Sequence, residues 1–286
     1  MTSIHQRLAE ARQELIVAGL SSDNATFDAE VLARHVLGWD RAALLSRQRD
    51  PLPDHFDIAY APLVARRARR EPVAYIVGHR EFWGLDFEVT HDVLIPRPET
   101  ELLIEEAKAY AEGGRPFERI IDVGTGSGCI AIALALEFPS AQVIATDMSS
   151  RALGVARRNA ARHGVSERMT MIETDLLAGV SGTADLIVSN PPYVPFWNAG
   201  AVQPEVGLYE PPVALFSEGV DGLAIIRRLL TTSPSHLAAN GRLMMEFGYG
   251  QDAQLLTAAR DAGWEVERLR EDLQSIPRVA ILRRGT

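Results

Sequence analysis

The chain has 286 residues, 47% of them hydrophobic and 23% charged, which excludes wholesale disorder and suffices for one large or two modest domains. Its 29 basic and 38 acidic residues leave a net charge of −9, which argues against gripping nucleic acid mainly through its phosphates. The single cysteine, Cys129, excludes an internal disulfide, and seven scattered histidines offer no metal-ligand spacing, so no metal is expected.

The amino terminus lacks the apolar core of a signal peptide. The longest strongly apolar run, Cys129 to Leu136, falls short of the ~20 residues of a membrane span, so a cytoplasmic location is expected. The first seventy or so residues read as helices. Ile4, Leu8, Ala11 and Leu15 recur at helical spacing, and Phe27, Val31, Leu32, His35 and Val36 repeat the pattern after Ser21-Ser22-Asp23-Asn24. A third helix follows Asp40, and a fourth runs from about Asp54 to Arg70, with Pro62 expected to kink or restart it. The Arg66-Arg67-Ala68-Arg69-Arg70 cluster reads as a solvated helix end that complements the dipole.

From Glu81 the periodicity turns β. Glu81–Val89 and Val93-Leu94-Ile95, separated by Thr90-His91-Asp92, suggest a hairpin, followed by the stiff Pro96-Arg97-Pro98-Glu99-Thr100 and a helix over Glu101–Ala111. Strand and helix then alternate. The strands are Arg119–Val123, Gln142–Thr146, Met169–Glu173, Asp185–Ser189, Arg242–Phe247, Trp264–Leu269 and Arg278–Leu282. The helices are Cys129–Phe138, Ser150–His163, Leu223–Leu237 and Asp252–Ala262. This order predicts an α/β fold with a mostly parallel sheet, covered on both faces, whose chemistry lies at the carboxyl ends of its strands. Three regions follow: a helical docking domain over 1–78, a β-hairpin linker over 79–96 and a sheet domain over 97–286. Val194–Gly222 shows no strand or helix and is expected to form a flap over a peptide groove, with Phe196, Trp197 and Tyr209 as contacts.

The first sheet strand ends in Asp122-Val123-Gly124-Thr125-Gly126-Ser127-Gly128 and passes straight into an apolar helix. Glycines permit the sharp turn, and a helix amino terminus offers unpaired N–H groups to a ligand. Read alone, the loop fits a nucleoside site, a dinucleotide loop or a tight strand-to-helix turn; the Gly-x-Gly-x-Gly spacing departs from the dinucleotide fingerprint. Asp147 closes the second strand, where its carboxylate can accept from both ribose hydroxyls or can cap the helix that follows. Asp175, ending the third strand, would then sit near the base, with Leu176 against the base's face.

The fourth strand exits through Asn190-Pro191-Pro192-Tyr193. The two prolines stiffen this exit, so an Asn190 oxygen and a neighbouring backbone carbonyl can match the two hydrogens of a planar –NH2 group, with Tyr193 packed on its face.

Gly124–Gly128, Asp147 and Asn190–Tyr193 resemble the class I S-adenosylmethionine-dependent methyltransferases that modify planar amino groups. Pro72–Gly78, Arg80–Gly84, Ile95–Thr100, Tyr209-Glu210-Pro211 and Glu246–Gln251 resemble the HemK/PrmC family. That resemblance runs from about Pro72 to the carboxyl terminus, while the amino-terminal helical part matches in size and class. The family often carries an aromatic residue where Leu176 stands. The resemblance implies a Rossmann-like methyltransferase sheet, S-adenosylmethionine as cofactor and S-adenosylhomocysteine as product. It implies methylation of glutamine N5 in the Gly-Gly-Gln motif of peptide chain release factors, without direct binding of nucleic acid. Gly124, Thr125, Gly126, Ser127, Gly128, Asp147, Asp175, Leu176 and Asn190 would bind the cofactor, and Asn190, Pro191, Pro192 and Tyr193 would carry the reaction. No histidine or carboxylate base is needed in this account, and none is conspicuous nearby. Ribosomal protein L3 glutamine methyltransferases and DNA adenine N6-methyltransferases share the Asn-Pro-Pro-Tyr form and stay open as alternatives. A nicotinamide dehydrogenase and a non-catalytic binding protein are more distant ones.

Overall fold

The computed structural model describes residues 3–114 and 116–285. Its helices in chain order are α1 Ile4–Val17, α2 Ser22–Leu37, α3 Arg41–Arg47, α4 Phe56–Ala68, α5 Val73–Val77, α6 Glu101–Glu112, α7 Cys129–Glu137, α8 Ser150–Arg162, α9 Pro204–Tyr209, α10 Pro212–Leu215, α11 Ala224–Thr232 and α12 Asp252–Asp261. Its strands are β1 His79–Phe82, β2 Leu85–Glu88, β3 Arg119–Val123, β4 Gln142–Asp147, β5 Met169–Glu173, β6 Ala184–Ser189, β7 Val194–Pro195, β8 Phe216–Ser217, β9 Leu237–Glu246, β10 Trp264–Glu271 and β11 Pro277–Arg284. Two compact units result: the residues through His79 with Gln203–Tyr209, and Arg80–Val202 with Glu210 to the carboxyl end. No helix of the described residues is long and apolar enough to cross a membrane.

In the first unit, Ser3 and Gln6 form a capping box that starts α1, and Gly38 ends α2 in the left-handed region. Ala11, Leu15, Leu32, Phe56, Tyr60 and Val64 fill the core between the helices. Pro62 does not restart α4, which runs unbroken through it. Nor is the arginine cluster a solvated helix end. Arg67 is buried and pairs with Asp28 at 2.6 Å and Glu205 at 2.8 Å; Arg70 joins Glu205 at 2.7 Å, and Arg66 pairs with Glu71 at 2.5 Å. Glu71 is a local partner, but Asp28 and Glu205, which claim Arg67 and Arg70, lie far away in sequence, so a local charge pattern cannot show them. α9 belongs to this unit, which means that the Val194–Gly222 stretch, expected to lack helix and strand, is built from short elements.

In the second unit, β1 and β2 form a hairpin, but its turn is Trp83-Gly84 and not Thr90-His91-Asp92. Both turn residues have positive φ (+56° and +71°), as a type I′ turn requires. Val93–Ile95 pairs with no strand, because the Ile95 N–H donates to the Glu210 carboxylate instead. Phe82 and Phe87 are buried in the core of this unit with Leu103, Ile132 and Leu134.

The sheet order is β10-β11-β9-β6-β3-β4-β5, with β11 antiparallel to both neighbours and the other six strands sharing one direction. Alternate strand residues feed opposite cores. Ile120, Leu186 and Val188 face one core with α6 and α7, while Ile121 and Ile187 face the other with α11 and α12. α11 stops at Thr232, short of the expected Leu237, because Pro234 has no N–H to continue the ladder. A short 3-10 turn follows, and β9 begins at Leu237. Chain order runs outward from β3 to β4 and β5, then returns to β6 on the other side. That reversal is where α/β sheets bind ligands.

Breaking the Arg67 pair removes the buried guanidinium that both Asp28 and Glu205 face. Arg67→Met should therefore lower the hydrogen-exchange protection of core amides in α2 and α4 by about 3–5 kcal/mol. Unchanged protection would show that the network contributes nothing to this unit.

Candidate active site

The register decides which side chains meet. Val123 pairs with Thr146 on one side and Ser189 on the other, and Ser189 pairs with Met245. The next residue of each strand is therefore Gly124, Asp147, Asn190 or Glu246, set side by side at the carboxyl edge. Ser189 ties this edge together by donating its hydroxyl to the Val123 carbonyl at 2.8 Å.

A cavity of about 520 Å³ opens above the edge, within the usual range for small-molecule sites. Gly124, Thr125, Gly126, Ser127, Asp147, Asp175, Leu176, Asn190 and Pro192 line it. Gly124 and Gly126 have φ of +75° and +55°, and the N–H groups of Gly124 and Thr125 both donate to the Thr146 carbonyl at 2.9 Å. Gly128 lies beneath and does not line the cavity. A Cβ on it would stand 3.0 Å from Ile132 and 3.1 Å from Ala156, so this glycine serves the packing of α7 on α8.

The two Asp147 oxygens accept backbone N–H groups, one from Gly126 and one from Ser149, each at 2.9 Å. The cap of α8 is Ser149, whose hydroxyl accepts from Ala152 N–H. Burial raises the Asp147 carboxyl above its ordinary pKa, against the pull of those N–H groups. Across the cavity, Asp175 pairs with Arg228 at 2.6 Å, and Leu176 is held at φ +54° on the wall.

The Asn190–Tyr193 exit is built differently from the sequence expectation. Pro191 is buried and Tyr193 turns away from the cavity, packing against the core with Ile172 and Ile225. The Tyr193 hydroxyl donates to Glu246 Oε1 at 3.0 Å, and the adjacent carboxylate raises its pKa. Asn190 lines the cavity and donates Nδ2–H to Thr100 Oγ1 at 3.0 Å, while the Thr100 hydroxyl donates to Glu246 Oε2 at 2.6 Å. A carboxylate thus does stand close by, contrary to the expectation of none, and burial raises its pKa. Gln251 closes the arrangement: its Oε1 accepts from Gly248 N–H, and its Nε2 donates to the Tyr193 and Asp221 carbonyls. Thr100, Glu246 and Gln251 escape a reading for site residues because their partners lie across the sheet edge and not along the chain.

Of the three expected groove contacts, Phe196 lines the cavity. Trp197 is exposed and donates to the Val220 carbonyl, whereas Tyr209 sits in the first unit with its hydroxyl on the Arg69 carbonyl.

Residues 6–78 match the family described as PrmC N-terminal domain, and residues 98–207 match the methyltransferase small domain. The chain is 44% identical to a release factor glutamine methyltransferase of Cereibacter sphaeroides, covering 90% of this chain and 89% of that one. It is 39% identical to a protein of the same name from Rhodospirillum rubrum, covering 96% and 88%. Among solved structures, a methyltransferase from Pyrococcus furiosus superposes over 81% of this chain and 100% of its own, with TM-score 0.54 and 20% identity. That likeness shows the fold.

Asp122 yields a pH test. Burial pushes its carboxyl up to about 7, against the hydroxyl of Thr125 and an amide of Ala131. A pKa higher in the folded than in the unfolded state means that the folded chain holds the extra proton. Its contribution to stability is therefore complete below about pH 4 and lost as pH rises toward 7. Relative to Asp122→Asn, the native chain should lose stability over that interval in denaturant titrations; parallel pH profiles would refute the burial effect.

Proposed function

The chain belongs to the release factor glutamine methyltransferase family, and from that premise we propose that it transfers a methyl group from S-adenosylmethionine to the side-chain amide nitrogen of the glutamine in the Gly-Gly-Gln motif of peptide chain release factors. The observation that carries this reading is Asn190 on the cavity wall with its amide nitrogen directed to Thr100, which leaves Oδ1 for a ligand. The cavity suits the cofactor. Asp147 uses one lone pair of each oxygen on backbone N–H groups and keeps the others for ribose hydroxyls, while Gly124 and Gly126 let a ligand approach the backbone. Thr125 and Ser127 belong to the same lining, and Asp175 and Leu176 would flank the adenine. Gly128 is left with the packing of the loop.

Bound there, the cofactor supplies an electrophilic methyl on a positively charged sulfur, with a neutral leaving group. The chain must place a nitrogen whose lone pair is delocalised into its own carbonyl. In this reading Asn190 Oδ1, on the cavity wall, would hold one amide hydrogen and the backbone carbonyl of the buried Pro191 the other, and both bonds would strengthen as nitrogen becomes positive. Such positioning lowers the barrier by several kcal/mol, on the order of 7–11 at best. Pro192 stiffens the exit, and Tyr193 anchors its far end on Glu246. Glu246 does not line the cavity and reaches Asn190 only through Thr100, so the amide proton leaves to water and not to this carboxylate. The substrate is a protein, and a cytoplasmic location belongs to the same proposal.

Incubation with labelled cofactor and intact release factor should place label on the Gly-Gly-Gln glutamine by peptide mass mapping. Asn190→Ala should bind cofactor within a few fold of the native chain and lose about 100-fold or more in turnover. Label on ribosomal protein L3 alone would move the substrate to the sister family, and label on DNA adenine alone would overturn the proposal. Asp147→Ala should chiefly weaken cofactor binding, by about tenfold for the lost hydrogen bonds; unchanged affinity in calorimetry would refute its ribose contact.

A further inference from the structure

The hydrogen bonds behind Asn190 have a fixed direction. An ionised carboxylate only accepts, a threonine hydroxyl has one proton to give, and a side-chain amide has one end that donates and one that accepts. Glu246 is fully buried at the end of β9 and accepts from Thr100 at 2.6 Å, the length of a charge-assisted bond. That bond uses the only proton of the Thr100 hydroxyl. What Thr100 presents to Asn190 is then lone pairs alone, and Asn190 can meet them only with Nδ2–H, at 3.0 Å. Its Oδ1 is thereby turned away from Thr100.

We propose that Glu246, acting through the Thr100 hydroxyl, sets which end of the Asn190 amide faces the cavity, so that Thr100 and Glu246 are positioning residues for methyl transfer. This inference rests on the reading of Asn190 as an acceptor for the glutamine amide. The reverse orientation would set an N–H of Asn190 against an N–H of the substrate and remove one of its two acceptors. Glu246 also takes the Tyr193 hydroxyl on its second oxygen, so both ends of the four-residue exit depend on one carboxylate. Thr100 is 2% exposed at the cavity wall, and its hydroxyl is held between Asn190 and Glu246.

The test compares Thr100→Val, Thr100→Ala and Thr100→Ser in the full chain, with the native chain in the same assay on release factor. Valine keeps the shape and removes the hydroxyl, alanine removes it without any risk of a clash, and serine keeps it. Both hydroxyl deletions should lower kcat by about 10- to 100-fold, the scale of a misplaced reacting group. Neither should change cofactor affinity in calorimetry by more than about threefold. Serine should restore kcat to within about threefold of native. Deletions that leave kcat within threefold would overturn the relay, as would a serine variant as slow as valine, since the methyl group and not the hydroxyl would then matter. A native chain that places no label on the Gly-Gly-Gln glutamine would overturn the functional reading first and the inference with it, an outcome distinct from an active native chain with indifferent variants.

Discussion

The pairing register of four adjacent parallel strands is the constraint from which the site follows. Because side chains alternate across a strand, a slip of one residue would send Ile121 and Ile187 to the wrong core, so two hydrophobic cores lock the register from both faces. With Val123 opposite both Thr146 and Ser189, and Ser189 opposite Met245, the first residues past those paired positions form one row. Gly124, Asp147, Asn190 and Glu246 are thus neighbours by the logic of core packing, although they span more than a hundred positions of sequence. The chemistry begins where the apolar strands stop.

Two kinds of glycine hold the loops above this row. Gly124 and Gly126 turn the chain at positive φ, where a side chain would strain the backbone. Gly248 is present for close approach instead: a Cβ there would come within 2.7 Å of Gln251 Oε1 and 2.9 Å of the Tyr193 ring. Only with that space empty can Gln251 reach three backbone groups from three separate segments, at Gly248, Tyr193 and Asp221. The Asn190–Tyr193 exit is therefore held twice, by the Glu246 carboxylate through Thr100 and the Tyr193 hydroxyl, and by the Gln251 amide on the Tyr193 carbonyl.

The strands and most helices of the sheet unit can be read from the chain because each is a run of apolar residues with a period of its own. The glycine loop, Asp147 and Asn190 can be read because they terminate such runs. What escapes is whatever depends on partners remote in sequence. A tryptophan at φ +56° is a poor local choice for a hairpin turn, yet Trp83 is held there by bonds to Glu101 and Glu137 and by Lys108 over its ring. Ile95 looks like a strand residue and spends its N–H on a carboxylate 115 positions away. Arg67 looks solvated and is buried between Asp28 and Glu205. Gly128 belongs to the motif but faces Ala156, a neighbour that only the packing of two helices supplies.

A buried carboxylate is costly, and the raised pKa of Glu246 shows that its two hydrogen bonds do not fully offset desolvation. Stability alone would favour an apolar side chain at this position. The physical return lies in direction. Were Glu246 replaced by a neutral group able both to give and to accept, the Thr100 hydroxyl could rotate, and the Asn190 amide would have two arrangements of similar energy. Only one of them offers an oxygen to the cavity. A group that can only accept removes that ambiguity at the far end of the chain of bonds, and each bond transmits the choice to the next. The charge sits behind the reacting centre, out of solvent, because there its influence on hydrogen-bond polarity is undiluted while both of its oxygens are committed elsewhere.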